Sequence, residues 1–193
     1  MLSPLEEYLE RAKLAHGHLC GGQILGVRLA LAGLRELHID DPIRDRKRLV
    51  TFVEIDRCAT DAIALVTGCR LGKRALKFLN WGKMAATFVD ISTGRAVRIA
   101  ARDSAKDRAR ELFPALESSA AQQQAYRTLP DDQLFDVQAV RVTLRPEDLP
   151  GYKGPRVTCG QCGESINFRR EVQSNGRTLC RSCAGECYYD LGN

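Results

Sequence analysis

The sequence predicts a domain that combines helices with a β-sheet, followed by a small cysteine-rich tail that a metal ion stabilises. Apolar residues recur at helical spacing in the N-terminal part. Short segments rich in β-branched and aromatic residues follow from position 49 onward. Two Cys-x-x-Cys pairs stand near the end. The 193 residues have room for one core domain of roughly 100 to 150 residues and a small appendage.

The N-terminal part predicts two helices separated by a loop. Ser3 and Glu6 have the spacing of a capping box, and the first helix is expected to run to about Ala15. The second helix is apolar on most sides, which predicts that it is buried, and it is expected to end near Leu37. The loop between them, 16–22, has the sequence His-Gly-His-Leu-Cys-Gly-Gly.

The central part predicts a sheet. Segments with strand composition are 49–55, 76–79, 85–91, 95–100 and 137–144. The third and fourth are joined by Ser92-Thr93-Gly94, which predicts a hairpin and therefore antiparallel pairing. Cys58 lies in the loop expected between the first strand and a helix over 62–66.

Two more helices and a linker complete the main domain. Asp103–Phe113 and Glu117–Leu129 are predicted helices, and Pro130 opens one further turn before the last strand. Residues 145–155 contain three prolines and two glycines, a composition typical of a linker. The predicted organisation is a main domain over 1–145, a linker over 146–156 and a finger over 157–193.

The tail carries the most specific metal-binding pattern of the chain. Cys159-x-x-Cys162 is separated by seventeen residues from Cys180-x-x-Cys183, which is the spacing of a structural zinc site in a zinc-ribbon or treble-clef finger. Rubredoxin-like iron is the alternative. So small a tail has too little core to fold alone, so metal binding would contribute on the order of 10 kcal/mol to its folding. Cys187 lies outside the pattern.

A second group of ligand types lies in the main domain. These residues are His16, His18, Cys20, Cys58 and Asp61. If several of them converge, they form a site of mixed nitrogen, sulfur and oxygen ligands for a transition metal such as zinc, nickel or iron. The alternative is metal-free chemistry, since a thiol at a helix N-terminus beside imidazoles has a lowered pKa and is a candidate nucleophile. Cys69 has no assigned role.

Charge and hydropathy bear on the partners and the cellular location of the protein. The net charge of +5 is modest, and basicity alone does not predict nucleic-acid binding. No apolar run approaches the ~18 residues that a membrane helix needs. The N-terminus has neither the basic flank nor the apolar stretch of a secretory signal. The expected location is therefore the cytoplasm, where the eight cysteines point to metal or redox chemistry and away from disulfides.

Four motifs together resemble one known family. They are HGHLCGGQILG at 16–26, DRCATDAI at 56–63, TGCRLGK at 67–73 and WGKMA at 81–85. In this order they look like the family of the formylmethanofuran dehydrogenase E-subunit, and the four-cysteine tail is similar to the zinc finger that many members append. The resemblance implies an α+β core in which helices pack on a mainly antiparallel sheet, a homodimer, and a metal-binding cleft.

The resemblance also implies which residues bind metal in that cleft. His18, Cys20 and Cys58 match the family's His-Gly-x-x-Cys and Asp-x-Cys motifs, with His16 and Asp61 adjacent. His16 and His18 compete for the position of the family histidine.

The leading functional hypothesis is a metal-binding accessory protein that resembles the E-subunit of the molybdenum or tungsten enzyme and joins such an enzyme complex. One alternative is a metal- or thiol-dependent enzyme. The other is a metal- or redox-responsive zinc-finger regulator that binds nucleic acid through arginines of the tail, namely Arg169, Arg170, Arg177 and Arg181.

Overall fold

The computed structural model describes residues 4–45 and 47–190. The chain divides into two compact units, Met1–Thr143 and Leu144–Asn193, and each is described by itself. Ser3, the predicted cap of the first helix, lies outside the described residues.

The helices and strands of the first unit follow the predicted order. The helices are α1 Pro4–His16, α2 Gly21–Glu36, α3 Cys58–Thr67, α4 Ser104–Leu112, α5 Ser118–Thr128 and α6 Asp131–Leu134. The strands are β1 Leu49–Val53, β2 Leu76–Phe78, β3 Ala85–Asp90, β4 Ala96–Ala101 and β5 Phe135–Val140. Leu71–Lys73 forms a single turn of 3-10 helix. Within the described ranges, no helix has both the length and the apolar character needed to cross a bilayer.

The last strand differs most from its predicted bounds. It was expected over 137–144, whereas it begins at Phe135 and ends at Val140. Leu134 and Phe135 are almost completely buried. Burial of these two side chains fixes where α6 ends and β5 begins, and the alternation of polar and apolar residues does not reveal this tertiary constraint.

The five strands form one sheet in the order β2-β1-β3-β4-β5. β1 pairs in parallel with β2, and every other neighbouring pair is antiparallel. In the predicted hairpin, Gly94 adopts φ +74°, and the Asp90 carboxylate accepts hydrogen bonds from the backbone N–H and the hydroxyl of Ser92. The fold is therefore α+β with a mainly antiparallel sheet, as the resemblance implied.

Helix α2 is the centre of the core. It lies against the sheet at Gly33, where a Cβ would overlap the Phe88 ring. It lies against α3 at Gly26, where a Cβ would come within 2.5 Å of the Ala59 carbonyl oxygen. Since only glycine permits these approaches, α2 and α3 pack with their backbones close together.

The second unit contains two small hairpins. β6 Val157–Thr158 pairs with β7 Ser165–Ile166, and β8 Val172–Ser174 pairs with β9 Arg177–Leu179. A 3-10 turn over Pro146–Asp148 precedes them. The buried apolar cluster of the hairpins consists of Cys159, Ile166 and Leu179. So small a cluster cannot offset the conformational entropy lost on ordering the unit, which therefore needs a further source of stability.

Candidate metal centres

The four tail cysteines converge on one point. The Sγ atoms of Cys159, Cys162, Cys180 and Cys183 all lie within 4.8 Å of one another. Those of Cys162 and Cys180 are 3.8 Å apart. A tetrahedral ion with metal–sulfur bonds of about 2.3 Å places its ligands about 3.8 Å apart. The cluster therefore has the geometry of a four-cysteine metal site.

Backbone N–H groups prepare one of these thiols to bind a cation. The amides of Cys180 and Gln161 point at Cys159 Sγ from 3.3 and 3.5 Å. Backbone donation, chiefly from Cys162 and then from Cys180, lowers the pKa of Cys159 to about 6. The adjacent Cys180 thiol instead raises the pKa of Cys183 to about 12. A metal ion would displace protons from these four thiols. The affinity of the cluster for the metal would therefore fall as the pH falls.

In the main domain, two helix N-termini carry the two candidate thiols. Cys20 is the N-cap of α2, with extended backbone. Cys58 was expected in a loop but is the first residue of α3. The helix starts there because Thr60 donates from its N–H to the Arg57 carbonyl and from its hydroxyl to the Ile55 carbonyl, which closes the first turn before the apolar stretch begins.

The packing of α2 on α3 brings Cys20 and Cys58 together. A Cβ placed on Gly22 would lie 3.6 Å from Cys58 Cβ and 3.7 Å from Cys20 Sγ. The pKa of Cys58 is raised, first by burial and then by the Cys20 thiol. A helix N-terminus favours a lowered thiol pKa. At Cys58 the burial and the second thiol outweigh that effect, which disfavours this residue as a metal-free nucleophile.

His16 is the last residue of α1, and His18 lies in the loop between α1 and α2. His16 Nδ1 is 3.5 Å from the Asp61 carboxylate, and the His16 and His18 ring centroids are 5.0 Å apart. The His16 side chain is 24% exposed and Asp61 is 71% exposed. His18 is exposed. The five predicted residues thus form a thiol pair and a histidine–carboxylate pair, with His18 beside His16.

The main-domain donors are less closely grouped than those of the tail. Among the described residues, the tail cysteines are the one group of three or more such side chains whose donor atoms all lie within 4.8 Å. The structure therefore brings the main-domain candidates together in pairs and does not place them around one point. Cys20 is the N-cap of α2, and Cys58 and Asp61 lie in the first turn of α3.

Sequence reasoning did not select Gln23, which is 1% exposed. It lines a cavity of about 60 Å³ together with His16 and Asp61. The available signal was a polar residue within the first two turns of a helix that is otherwise apolar on most sides.

The remaining cysteines have other surroundings. Cys69 is buried, accepts a hydrogen bond from the Thr51 hydroxyl and donates to the Leu49 carbonyl. Burial raises its pKa, as expected for a packing residue. Cys187 is exposed in the tail and is not one of the four clustered cysteines.

A family profile and a solved structure each match most of the chain. A family profile described as "FmdE, Molybdenum formylmethanofuran dehydrogenase operon" matches residues 15–149. The crystal structure of a tungsten formylmethanofuran dehydrogenase FmdE-like protein from Syntrophus aciditrophicus superposes with a TM-score of 0.62. That similarity has 25% sequence identity and covers 96% of this chain and 94% of the other.

A curated relative is longer than this chain. It is named "Probable S-adenosyl-L-methionine-binding protein" and comes from Archaeoglobus fulgidus. The two are 29% identical over an alignment 213 positions long, which covers 98% of this chain. The chain spans 56% of the length of that relative, so the relative's name describes a protein with a further large segment.

Proposed function

The chain belongs to the FmdE family, and from that premise we propose that it is a metal-binding accessory protein of a molybdenum- or tungsten-dependent formylmethanofuran dehydrogenase. Two observations support the proposal. The matched profile takes its description from the operon of that enzyme, and the similar solved structure is named as an FmdE-like protein of the tungsten enzyme. The single observation that carries the metal-binding part is the convergence of four cysteine sulfurs in the tail.

We assign zinc to the tail and a structural role to that zinc. Its ligands are Cys159, Cys162, Cys180 and Cys183, and the sulfur spacing fits a tetrahedral ion. The hairpins around it provide little apolar burial. The zinc therefore holds the finger together, and the finger presents a surface for docking or for dimerisation. We propose main-domain, linker and finger boundaries at 1–145, 146–156 and 157–193.

We assign a second transition metal to the main domain, with zinc, nickel or iron as the candidates. Cys20 and Cys58 supply the thiolates, because their side chains lie together at the start of α2 and α3. A histidine supplies the nitrogen. A bound metal of this class would supply Lewis acidity or a redox couple to an associated enzyme.

His16 is the better supported histidine ligand. Metal-binding histidines commonly donate their second ring N–H to a carboxylate, which fixes the ring and raises its basicity. His16 Nδ1 lies 3.5 Å from the Asp61 carboxylate, which is near enough for Asp61 to take that role and leaves Nε2 for the metal. Asp61 then orients the ligand and does not bind the metal itself. His18 is the alternative ligand, since it lies two residues before Cys20.

The alternatives have weaker support. A thiol-dependent enzyme would need a reactive thiolate, and the raised pKa of Cys58 disfavours that residue as the nucleophile. A nucleic-acid-binding regulator would need free arginines in the tail. Arg170 pairs with Asp148, Arg181 pairs with Glu186, and Arg177 donates to the Gly160 carbonyl.

Two partners follow from the proposal. We propose a homodimer and a complex with the molybdenum or tungsten enzyme, located in the cytoplasm, where thiols stay reduced. Affinity purification of the full chain with that enzyme's other subunits tests the complex. Retention of those subunits at physiological ionic strength is the expected result, and their complete loss in the wash contradicts the accessory role.

Cobalt substitution tests the main-domain ligands. Thiolate-bound Co²⁺ absorbs in the near ultraviolet, and both sites should contribute to that absorption in the full chain. His16→Ala and Asp61→Asn are expected to weaken the main-domain site, the latter by about 10- to 100-fold in affinity because it removes the group that orients the histidine. His18→Ala is the matched control. If only His18→Ala weakens the site, His18 is the ligand and the assignment of His16 is wrong.

A further inference from the structure

The positive charge of the chain is concentrated in one segment of the main domain. Residues 62–89 contain five of the 29 basic residues and none of the 24 acidic ones. The other 24 basic residues equal the acidic residues in number, so this segment accounts for the whole net charge of +5. So uneven a distribution favours a partner that carries negative charge. The five basic residues are Arg70, Lys73, Arg74, Lys77 and Lys83.

This segment forms one edge of the sheet. Strand β2 stands at the end of the strand order, and among the described strands its one neighbour is β1. The turn before β2 is held beside it by a 3.3 Å hydrogen bond from the Leu76 N–H to the Arg70 carbonyl. The loop after β2 is held by the N–H groups of Trp81 and Lys83, which both donate to the Glu54 carbonyl. Two of the four family-like motifs therefore lie at the two ends of one short strand.

Large apolar side chains are exposed among these cations. Leu71 is 63% exposed, Phe78 is 42% exposed and Trp81 is 59% exposed. Lys83 Nζ lies 5.9 Å from the centre of the Trp81 ring. Aromatic side chains and arginine are enriched at protein–protein interfaces. We use the name basic edge for the exposed residues Arg70, Leu71, Lys73, Phe78, Trp81 and Lys83.

The cations of the basic edge are not neutralised within the described part of the chain. No ion pair of the described residues involves Arg70, Lys73 or Lys83. Glu54, whose carbonyl holds the loop, is 2% exposed. Its carboxylate accepts two hydrogen bonds of 2.7 Å from Arg98, so its charge is already compensated inside the domain.

The combination of cations, apolar side chains and a strand edge distinguishes between occupants. Lysines alone on an edge strand commonly prevent unwanted strand pairing, but that role does not explain why Leu71, Phe78 and Trp81 are exposed there. Symmetric pairing with a second copy of this chain would place like charges opposite each other. Nucleic acid would pair with the cations but would use neither the leucine nor the strand edge. An acidic polypeptide can use all three features, since an extended segment can add to the edge of a sheet.

We propose that the basic edge binds an extended acidic segment of a partner protein that carries both carboxylates and apolar side chains. The carboxylates pair with Arg70, Lys73 and Lys83, and the apolar side chains pack on Phe78 and Trp81. None of these residues is a candidate metal ligand. Binding needs only this surface of the chain, so the proposal does not depend on the function proposed above.

The probe is a short fluorescein-labelled peptide in which glutamate alternates with valine. It is titrated with the full-length protein, isolated with its metals, at physiological ionic strength. A saturable rise in fluorescence anisotropy is expected. The same peptide with lysine in place of glutamate is expected not to bind, because its charges repel the basic edge.

Charge reversal tests the cations. Lys73→Glu is expected to weaken binding of the acidic peptide at least about tenfold, because an attractive charge becomes repulsive. Lys106→Glu is the matched control, since Lys106 is exposed on α4 and its reversal changes the net charge equally. It should leave the affinity nearly unchanged. If Lys73→Glu fails to fold, Lys83→Glu replaces it with the same expected result.

Removal of the aromatic ring tests the apolar part of the surface. Trp81→Ala is expected to weaken peptide binding by about tenfold, because a large apolar contact is lost. Leu116→Ala is the control, since Leu116 is also an exposed apolar residue and lies outside the basic edge. Its affinity for the peptide should equal that of the wild type.

Weaker binding by Lys73→Glu and Trp81→Ala, with both controls unchanged, supports the proposal. It is overturned by a lack of saturable binding, by equal binding of the lysine peptide, or by equal losses in a variant and its control. Tighter binding of an oligouridylate RNA of the same length would assign the surface to nucleic acid and contradict the proposal. A change in the oligomeric state of the free protein on Lys73→Glu, measured by analytical ultracentrifugation, would show an interface between copies and contradict it too.

Discussion

At the scale of single residues, a buried carboxylate at the end of strand β3, Asp90, forms a close ion pair with Arg48. Asp90 is 1% exposed and accepts from the Arg48 guanidinium, with a 3.1 Å bond between Nε and Oδ1. Arg48 holds the pKa of the Asp90 carboxyl well below its usual range, and Ser92 adds to the effect. The ion pair therefore links the stability of the main domain to pH.

The sign of that link follows from the direction of the pKa shift. In the unfolded chain an aspartate titrates at about 3.9, and in the folded domain the pKa of Asp90 is lower. The stabilising contribution is fully present above the unfolded pKa, and it is lost as the pH falls through the folded pKa. Acid should therefore weaken the domain below about pH 4.

Asp90→Asn tests the ion pair. At neutral pH we expect the variant to lose about 2 kcal/mol in the free energy of unfolding, since Arg48 is left without its carboxylate. We also expect a shallower loss of stability on acidification than in the wild type. Urea unfolding of the full chain at several pH values measures both effects.

Asp103→Asn is the control for that substitution, because the Asp103 side chain is fully exposed and lies 3.8 Å from Lys106. Its stability and pH dependence should match the wild type. A variant at position 90 with unchanged stability and the same acid sensitivity as the wild type would show that the pair contributes nothing.

At the scale of elements, the α2–α3 contact positions the main-domain thiols. A Cβ on Gly26 would meet the Ala59 carbonyl at 2.5 Å and the Ala62 side chain at 2.9 Å. Backbone atoms cannot move aside as a flexible side chain could. The two helices can therefore keep Cys20 near Cys58 only while position 26 has no side chain.

Gly26→Ala should separate α2 from α3. We expect a loss of about 1 to 3 kcal/mol in the free energy of unfolding from overpacking, together with weaker metal binding in the main domain. Gly72→Ala is the control, because nothing lies within 4 Å of the added Cβ. Thermal unfolding and metal titration check both variants. Unchanged metal affinity in a folded Gly26→Ala variant would mean that the helix contact does not set the site.

The sequence indicates those features that depend on local pattern. The four tail cysteines were predicted from spacing alone, and the structure clusters them. Helical periodicity located α1 and α2, and the Ser-Thr-Gly turn located the β3–β4 hairpin. The residues that form each of these patterns are close together in the sequence, so a single stretch of chain is enough to predict the element.

Features that depend on distant contacts were not predicted. The parallel pairing of β2 with β1 joins segments separated by a helix, and the pairing of His16 with Asp61 joins α1 to α3. The buried amide oxygen of Gln23, which has no hydrogen-bond partner among the described residues, becomes evident only once α1 covers it. Sequence composition carries no information on such contacts, since each depends on how three elements pack.

At the scale of the whole molecule, we assign two metals of different character to one chain. The tail cysteines provide four sulfur ligands and leave no open coordination position, as structural zinc requires. The main-domain candidates form a thiol pair and a histidine–carboxylate pair, and mixed ligand types are typical of a reactive or transfer site. A structural metal and an exchangeable metal in one protein agree with an accessory role in a metalloenzyme system.

The most direct test of this two-metal assignment is the metal content per chain of the full-length protein, measured by mass spectrometry for the wild type and three cysteine variants. We predict two equivalents in the wild type and in Cys69→Ser, whose thiol is a packing group. We predict that Cys58→Ser loses the main-domain metal and retains the tail zinc, whereas Cys162→Ser loses the tail zinc. A wild type with a single metal, or a Cys58→Ser variant with an unchanged metal content, would contradict the central claim.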